Sequence, residues 1–200
     1  MKKIYVSLGS DCLCAITSRN MNKRTFALPF DWVVTYNGVS DIIKEEFINF
    51  LPKLENTTLF NPLSNTYFRH NKFPDDYDKM NRRIKRFMDL LKNETDEIIF
   101  IRHSHHSHHH QETSELNWTL KNDIVDGEEL YILLKEKYPK LNFKIIVILS
   151  CWKCFNIENV YHSENIKIYN IITQSNQSWD KCMDKLILQV YNEIYENELL

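Results

Sequence analysis

The chain has 200 residues, of which 43% are hydrophobic and 26% charged, and its formal net charge is −2. No Pro-, Gly- or Ser-rich linker interrupts it, so we expect a single domain over residues 1–200 with a sizeable core. The balanced charge excludes a general attraction for nucleic acid, and we expect no nucleic-acid partner.

Two further features of the composition concern the compartment. The chain has no run of about 18 apolar residues, and its first apolar stretch is too short for a signal peptide, so we expect no membrane association. Five cysteines without a regular framework indicate reduced thiols and a cytoplasmic location. Abundant Asn, Ile, Lys and Tyr with only three glycines are typical of an AT-rich genome, such as that of a large virus or an AT-rich microbe.

The hydrophobic pattern predicts alternating strands and helices. The first half of the chain gives, in order, a strand at 3–8, helices at 12–20 and 39–51, a loop at 53–65, a short strand at 66–69 and a helix at 77–92. The second half gives a strand at 97–102, a helix at 127–137, strands at 143–149 and 166–172, and an amphipathic helix marked by Trp179, Leu186 and Ile194. This order predicts an α/β fold with a central, mostly parallel or mixed sheet and helices on both faces.

The first strand ends in a turn that places a cysteine at the start of a helix. Gly9 follows the apolar run, and Ser10 and Asp11 are both good N-cap residues for the segment that follows. Cys12 then occupies the first helical turn, where the helix dipole and unpaired N–H groups favour a thiolate and stabilise an oxyanion. The alternative is that Cys12 is a small buried residue at a tight turn.

These residues begin a resemblance to a known family. The segments SLGSDC at 7–12 and RTFALPFDWV at 24–33 resemble a family described as papain-like cysteine peptidases. Similar segments continue with YFRHNKF at 67–73, RRIKRF at 82–87 and IIFIR at 98–102. The resemblance covers about the first half of the chain. As an alternative fold, it implies an α+β arrangement in which the cysteine-bearing helix packs on an antiparallel sheet that carries the histidine.

The resemblance also implies an activity. The chain would be a cysteine peptidase or a related thiol hydrolase or acyltransferase, in which Cys12 attacks a peptide, amide or other acyl substrate. Such chemistry needs a general base and a group that orients it. His70 is the preferred base because it lies in the matching segment between aromatic residues. Asp31 is the first candidate to orient it and Asn71 the second.

The predicted sheet leaves a second interpretation open. If the strands at 3–8, 97–102 and 143–149 are parallel neighbours, their carboxyl ends carry polar and reactive residues to one edge, where such sheets bind ligands. Ser10, Asp11 and Arg102 would then bind the substrate of an esterase-like or nucleotide-sugar-binding protein. A third interpretation is a non-catalytic metal-binding or interaction protein with a structural Cys12. Two cations near the N-terminus, Arg19 and Arg24, are either surface residues or contacts for an anionic substrate.

Neither a resident metal nor a cofactor is predicted. The histidine-rich run at 103–110 has adventitious affinity for metal ions, but a built site needs separated ligands with supporting contacts. Cys151 and Cys154 have redox-motif spacing, yet no helix start follows them and no second pair completes a zinc site. The three glycines never fall close together, which excludes a glycine-rich phosphate-binding loop.

Overall fold

The structure is a computed structural model that describes residues 2–36, 38–53, 59–93, 96–105, 120–152, 164–173 and 185–196. Its strands are β1 (Lys3–Ser7), β2 (Val34–Thr35), β3 (Phe60–Asn61), β4 (Thr66–Tyr67), β5 (Glu97–His105), β6 (Phe143–Trp152) and β7 (Lys167–Thr173). Its helices are α1 (Leu13–Asn20), α2 (Ser40–Lys44), α3 (Tyr77–Asn93), α4 (Leu120–Lys137) and α5 (Lys185–Glu196).

The main sheet has the strand order β1-β5-β6-β7, and every neighbouring pair in it is parallel. In its register, Val6 lies opposite Phe100 and Phe100 opposite Ile145. Apolar runs of this kind suit strands that are covered on both faces. The predicted α/β fold is confirmed. The α+β alternative required an antiparallel sheet against the cysteine helix, and the structure has a parallel sheet there instead.

Helices cover both faces of this sheet. One face, which includes Val6 and Phe100, packs against α2, α3 and α4. The other face, which includes Ile99 and Ile148, packs against α1 and α5 through residues such as Tyr191. None of the described helices has the length and apolar character that crossing a membrane requires.

A second, small antiparallel sheet has the order β2-β4-β3. The loop predicted at 53–65 therefore contains a short strand, β3. Its partner β4 pairs Thr66 with Thr35 of β2. This pairing fixes Thr35, which is fully buried, beside the turn that follows β1.

The helix predicted at 39–51 ends early, at Lys44. Glu46 has φ +52° and Phe47 has φ +66°. The Phe47 N–H bonds to the Ile42 carbonyl and the Glu46 N–H to the Ile43 carbonyl, which is the pattern of a Schellman motif. This motif usually places glycine in the left-handed position, so a glutamate there gives no sequence signal. The reversal lets Phe47 pack into the core.

Helix α4 begins seven residues before the start predicted at 127, at Leu120. Gly127 lies inside this helix rather than at its beginning. A Cβ at that position would lie 3.0 Å from Cδ1 of Ile166 and 3.4 Å from Cγ2 of Val147. The glycine therefore lies where α4 packs closely against Val147 of β6 and against Ile166, and not at a helix end.

Phe30 connects the PFDW segment to the core, and its removal should destabilise the protein. Its fully buried ring lies 5.3 Å from the ring of Phe47, 5.4 Å from Phe50 and 5.6 Å from Phe87. Phe30→Ala should lower the free energy of unfolding by about 3–5 kcal/mol in urea denaturation. The control Ile48→Ala removes a side chain that is 80% exposed and should cost less than about 0.5 kcal/mol. Equal costs for the two variants would contradict this packing.

Candidate active site

The turn after β1 is built from two residues in the left-handed region. Gly9 has φ +74° and Ser10 has φ +73°. A Cβ on Gly9 would lie 2.9 Å from Oγ1 of Thr35, so glycine is needed both for the backbone angle and for the close approach. The Ser10 N–H donates to the same Thr35 oxygen at 3.2 Å. The turn therefore packs directly against Thr35 of β2.

Arg102 holds this turn in place from the neighbouring strand β5. Its side chain is 2% exposed, and Nη1 donates to the Leu8 carbonyl at 3.0 Å and also to Oγ1 of Thr35. Nη2 donates to the Thr35 carbonyl at 2.7 Å, and Nε pairs with Oδ1 of Asp123 at 2.7 Å. The guanidinium predicted to bind substrate is therefore directed at protein groups that join β1, β2 and α4 to β5.

Asp11, which precedes the N-cap residue Cys12, bonds to the first turn of α1 through one carboxylate oxygen only. Its Oδ1 accepts the Leu13 N–H at 2.7 Å, while its buried Oδ2 has no hydrogen-bond partner among the described residues. Burial raises the pKa of Asp11 to about 7, and the charge of Arg102 opposes that rise. The carboxyl group can therefore exchange a proton near neutral pH.

Cys12 lies at the N-terminal end of α1 with only 5% of its surface exposed. Its pKa is raised to about 12, chiefly by burial and also by the charges of Asp11 and Asp31, while the charge of Arg69 opposes the rise. The thiolate expected from the helix N-terminus is therefore not the resting form. Loss of hydration is the largest cause of the rise, because burial disfavours the charged thiolate.

Asp31 is engaged with the loop that carries it. Its Oδ2 accepts from Nη2 of Arg24 at 2.5 Å, from Nε of Arg24 at 3.2 Å and from the Leu28 N–H at 2.8 Å. Burial raises the pKa of Asp31, and the adjacent Arg24 charge opposes this. The carboxylate thus closes the 24–31 loop onto itself.

His70 is exposed and meets the rest of the site through Trp32. The two ring centroids lie 6.0 Å apart in an edge-to-face arrangement. Within the described part of the chain, no hydrogen bond joins His70 to Cys12 or Asp31. Asn71, the second candidate to orient the histidine, donates to Oδ2 of Asp76 at 3.4 Å. The catalytic roles of Cys12, His70 and Asp31 stay predictions.

The other residues of the predicted strand-end cluster are only partly described. Strand β6 extends to Trp152, but the side chains of 150–152 and all of 153–154 lie outside the described residues. His103 is fully buried, with Nδ1 3.0 Å from the Tyr191 hydroxyl, and 106–110 of the histidine run are outside as well. Among the described residues, no group of three His, Cys, Asp or Glu side chains is placed to hold a metal ion.

Sequence reasoning missed three residues that shape this site. Thr35 and Asp123 fix Arg102, and neither belongs to a recognisable motif. Trp32 lies within the PFDW segment, and its half-buried ring is contacted by Arg19, Arg24 and His70. The only sequence signal for Trp32 was its position in the segment that resembles the family. Thr35 and Asp123 gave no sequence signal.

The comparisons with known proteins point to the same part of the chain. Residues 3–74 match a family model described as "Putative papain-like cysteine peptidase". The resemblance to this family is confirmed over those residues. They include the turn from Gly9 to Cys12 and also Trp32 and His70. No curated protein and no solved structure matches the chain.

The raised pKa of Asp11 predicts a specific pH dependence of stability. Asp11 keeps its proton up to about pH 7 when folded, against an ordinary pKa of 3.8. Its contribution to stability is therefore complete below pH 3.8 and is lost as the pH rises through 7. We therefore expect the free energy of unfolding of the wild type to fall relative to that of Asp11→Asn as the pH rises from 4 to 8. The total change should be on the order of 4 kcal/mol, measured by urea denaturation.

The difference in stability between the two proteins isolates Asp11, because the other buried carboxyl groups of the described residues, Asp31, Asp123 and Asp126, are present in both. Parallel stability curves for wild type and Asp11→Asn across this pH range would contradict the assignment.

Proposed function

We propose that the protein is a thiol-dependent hydrolase or acyltransferase, with Cys12 as nucleophile and His70 as general base. The observation that carries this proposal is the position of Cys12. It begins the helix that follows β1, at the carboxyl edge of a parallel sheet, where α/β proteins bind their ligands. The segment that resembles the peptidase family contains both Cys12 and His70. The substrates are peptides, amides or other acyl compounds, and the location is the cytoplasm.

Because the Cys12 thiol is neutral, the proposed reaction must include a proton transfer from the sulfur. Because the pKa of Cys12 is raised to about 12, the proton must leave as the sulfur attacks. His70 accepts this proton while Sγ forms a bond to the carbonyl carbon, and the start of α1 stabilises the oxyanion. His70 then returns the proton to the leaving group. Water, or an acceptor nucleophile, releases the acyl group from the thioester.

The resting position of His70 fits a base that is recruited by substrate. It is exposed and lies against the half-buried Trp32, which leaves its ring nitrogens open to an incoming group. Catalytic hydrogen bonds are often long before substrate binds and tighten in the complex. Trp32, rather than Asp31, supplies the contact that positions the imidazole in this proposal.

A second candidate nucleophile is Ser10, because its backbone conformation is unusual. A non-glycine residue with φ +73° at a strand-to-helix turn is the strained arrangement that exposes the serine of esterase-like enzymes. Unlike the exposed serine of those enzymes, the Ser10 hydroxyl is buried, and it has no hydrogen-bond partner among the described residues. Asp11, with a pKa of about 7, would be the neighbouring base. Arg102 would then act by holding the turn.

Hydrolysis of activated esters, thioesters and peptide anilides by purified variants tests these proposals. Cys12→Ala should lower kcat/KM by at least about 1,000-fold, and His70→Ala by about 100-fold or more. Cys14→Ala is the matched control, since it removes another buried thiol from the same helix, and should keep most of the activity. Activity that survives Cys12→Ala but disappears in Ser10→Ala would replace the first candidate by the second.

A further inference from the structure

Three cationic or potentially cationic side chains surround a single indole ring. The Arg19 guanidinium lies 5.5 Å from the Trp32 ring centroid and the Arg24 guanidinium 5.7 Å from it. The His70 ring lies 6.0 Å away. We call these four residues the Trp32 cluster. Its members come from α1, the loop after it and the segment after β4, so tertiary folding brings them together.

The two arginines of the Trp32 cluster differ in their partners. Arg24 is neutralised by the buried Asp31 at 2.5 Å. Arg19 is exposed, and in the described ranges its guanidinium makes no hydrogen bond or ion pair. The ring nitrogens of His70 likewise have no hydrogen bond there. The ion pair with Asp31, which closes the 24–31 loop, explains the position of Arg24. No carboxylate in the described ranges explains why the Arg19 guanidinium also lies over the indole.

Two residues next to the Trp32 cluster act electrostatically on the proposed nucleophile. Asp31, which binds Arg24, acts electrostatically on Cys12, as does Arg69, the neighbour of His70 in the chain. Arg83 interacts with both Asp31 and Arg24, which adds further positive charge. Cys12 itself senses two carboxylates, Asp11 and Asp31, and one guanidinium, that of Arg69.

Stacking on an indole prepares a guanidinium to bind an anion. The ring contact restricts the side chain and leaves the N–H groups at the edge of the guanidinium directed outward. Those donors match a carboxylate or phosphate, and hydrogen bonds between charged partners are the strong ones. The His70 imidazole contacts the same indole and brings a second hydrogen-bond donor to it.

We propose that the Trp32 cluster binds an anionic group, a carboxylate or a phosphate, with Arg19 and His70 as its donors. The anion belongs to the substrate that Cys12 attacks, and this part rests on the function proposed above. The binding itself does not depend on catalysis. The protein therefore selects acyl substrates that carry a negative charge near the bond to be broken.

Titration of the full chain with small aromatic probes, followed by NMR of the tryptophan side chains, tests this proposal. The probes are phenyl phosphate, benzoate and the neutral analogue benzamide, at constant ionic strength. The Trp32 indole N–H signal, assigned from its loss in Trp32→Phe, should shift saturably with at least one anion and not with benzamide. The anion that binds more tightly identifies the phosphate or the carboxylate as the natural group.

Two variants separate a built site from general charge attraction. Arg19→Gln should weaken anion binding by about tenfold or more. Lys135→Gln removes the same charge from a lysine that also lies over aromatic rings, 5.1 Å from Phe143 and 5.5 Å from Tyr131, and should change binding less than about twofold. Both variants can be checked for folding by urea denaturation.

Three results would overturn the proposal: no saturable shift with either anion, equal binding of benzamide, or equal weakening by Arg19→Gln and Lys135→Gln. The outcome is independent of the proposed function. If the protein binds anions but turns over no substrate, the proposed anion site is supported and the proposed thiol chemistry is contradicted. If the protein turns over substrate but binds neither anion, the thiol chemistry is supported and the anion site is contradicted.

Discussion

The buried guanidinium of Arg102 is the constraint on which the site depends. It donates to the Leu8 carbonyl, to both oxygens of Thr35 and to Oδ1 of Asp123, and its side chain is only 2% exposed. Removing one partner of a buried ion pair commonly costs about 3–5 kcal/mol, because the other charge is left uncompensated. The position of the Gly9–Cys12 turn relative to the sheet is therefore tied to this one side chain.

The same burial that fixes the turn sets its chemistry. Asp11 and Cys12 both lose hydration, so the acid keeps its proton to about pH 7 and the thiol to about pH 12. In the proposed thiol chemistry the sulfur would therefore start neutral and would need a base at the moment of attack. Residues 3–74 match a family whose description is papain-like cysteine peptidase, but the cysteine of this chain follows the first strand of a parallel sheet. Function lies in such sites rather than in the fold that holds them.

Local patterns were sufficient for the central elements. The apolar runs of β1, β5 and β6 and the amphipathic spacing of α3 gave their positions and the parallel sheet. The early end of α2 was not predictable, because Glu46 stands where a Schellman motif usually has glycine. The partners of Arg102 were also hidden, since Asp123 lies 21 residues away and Thr35 lies 67. The pKa of Cys12 depends on burial that only tertiary packing creates.

The most direct test of the account is the identity of the atom that carries the acyl group during turnover. The protein would be mixed with an activated acyl ester, quenched in acid within one turnover, and digested for peptide mass spectrometry. We predict a single acyl group on Cys12, present in the wild type and absent in Cys12→Ala. An acyl group on Ser10, or none on either residue while the ester is consumed, would contradict the claim that Cys12 is the nucleophile.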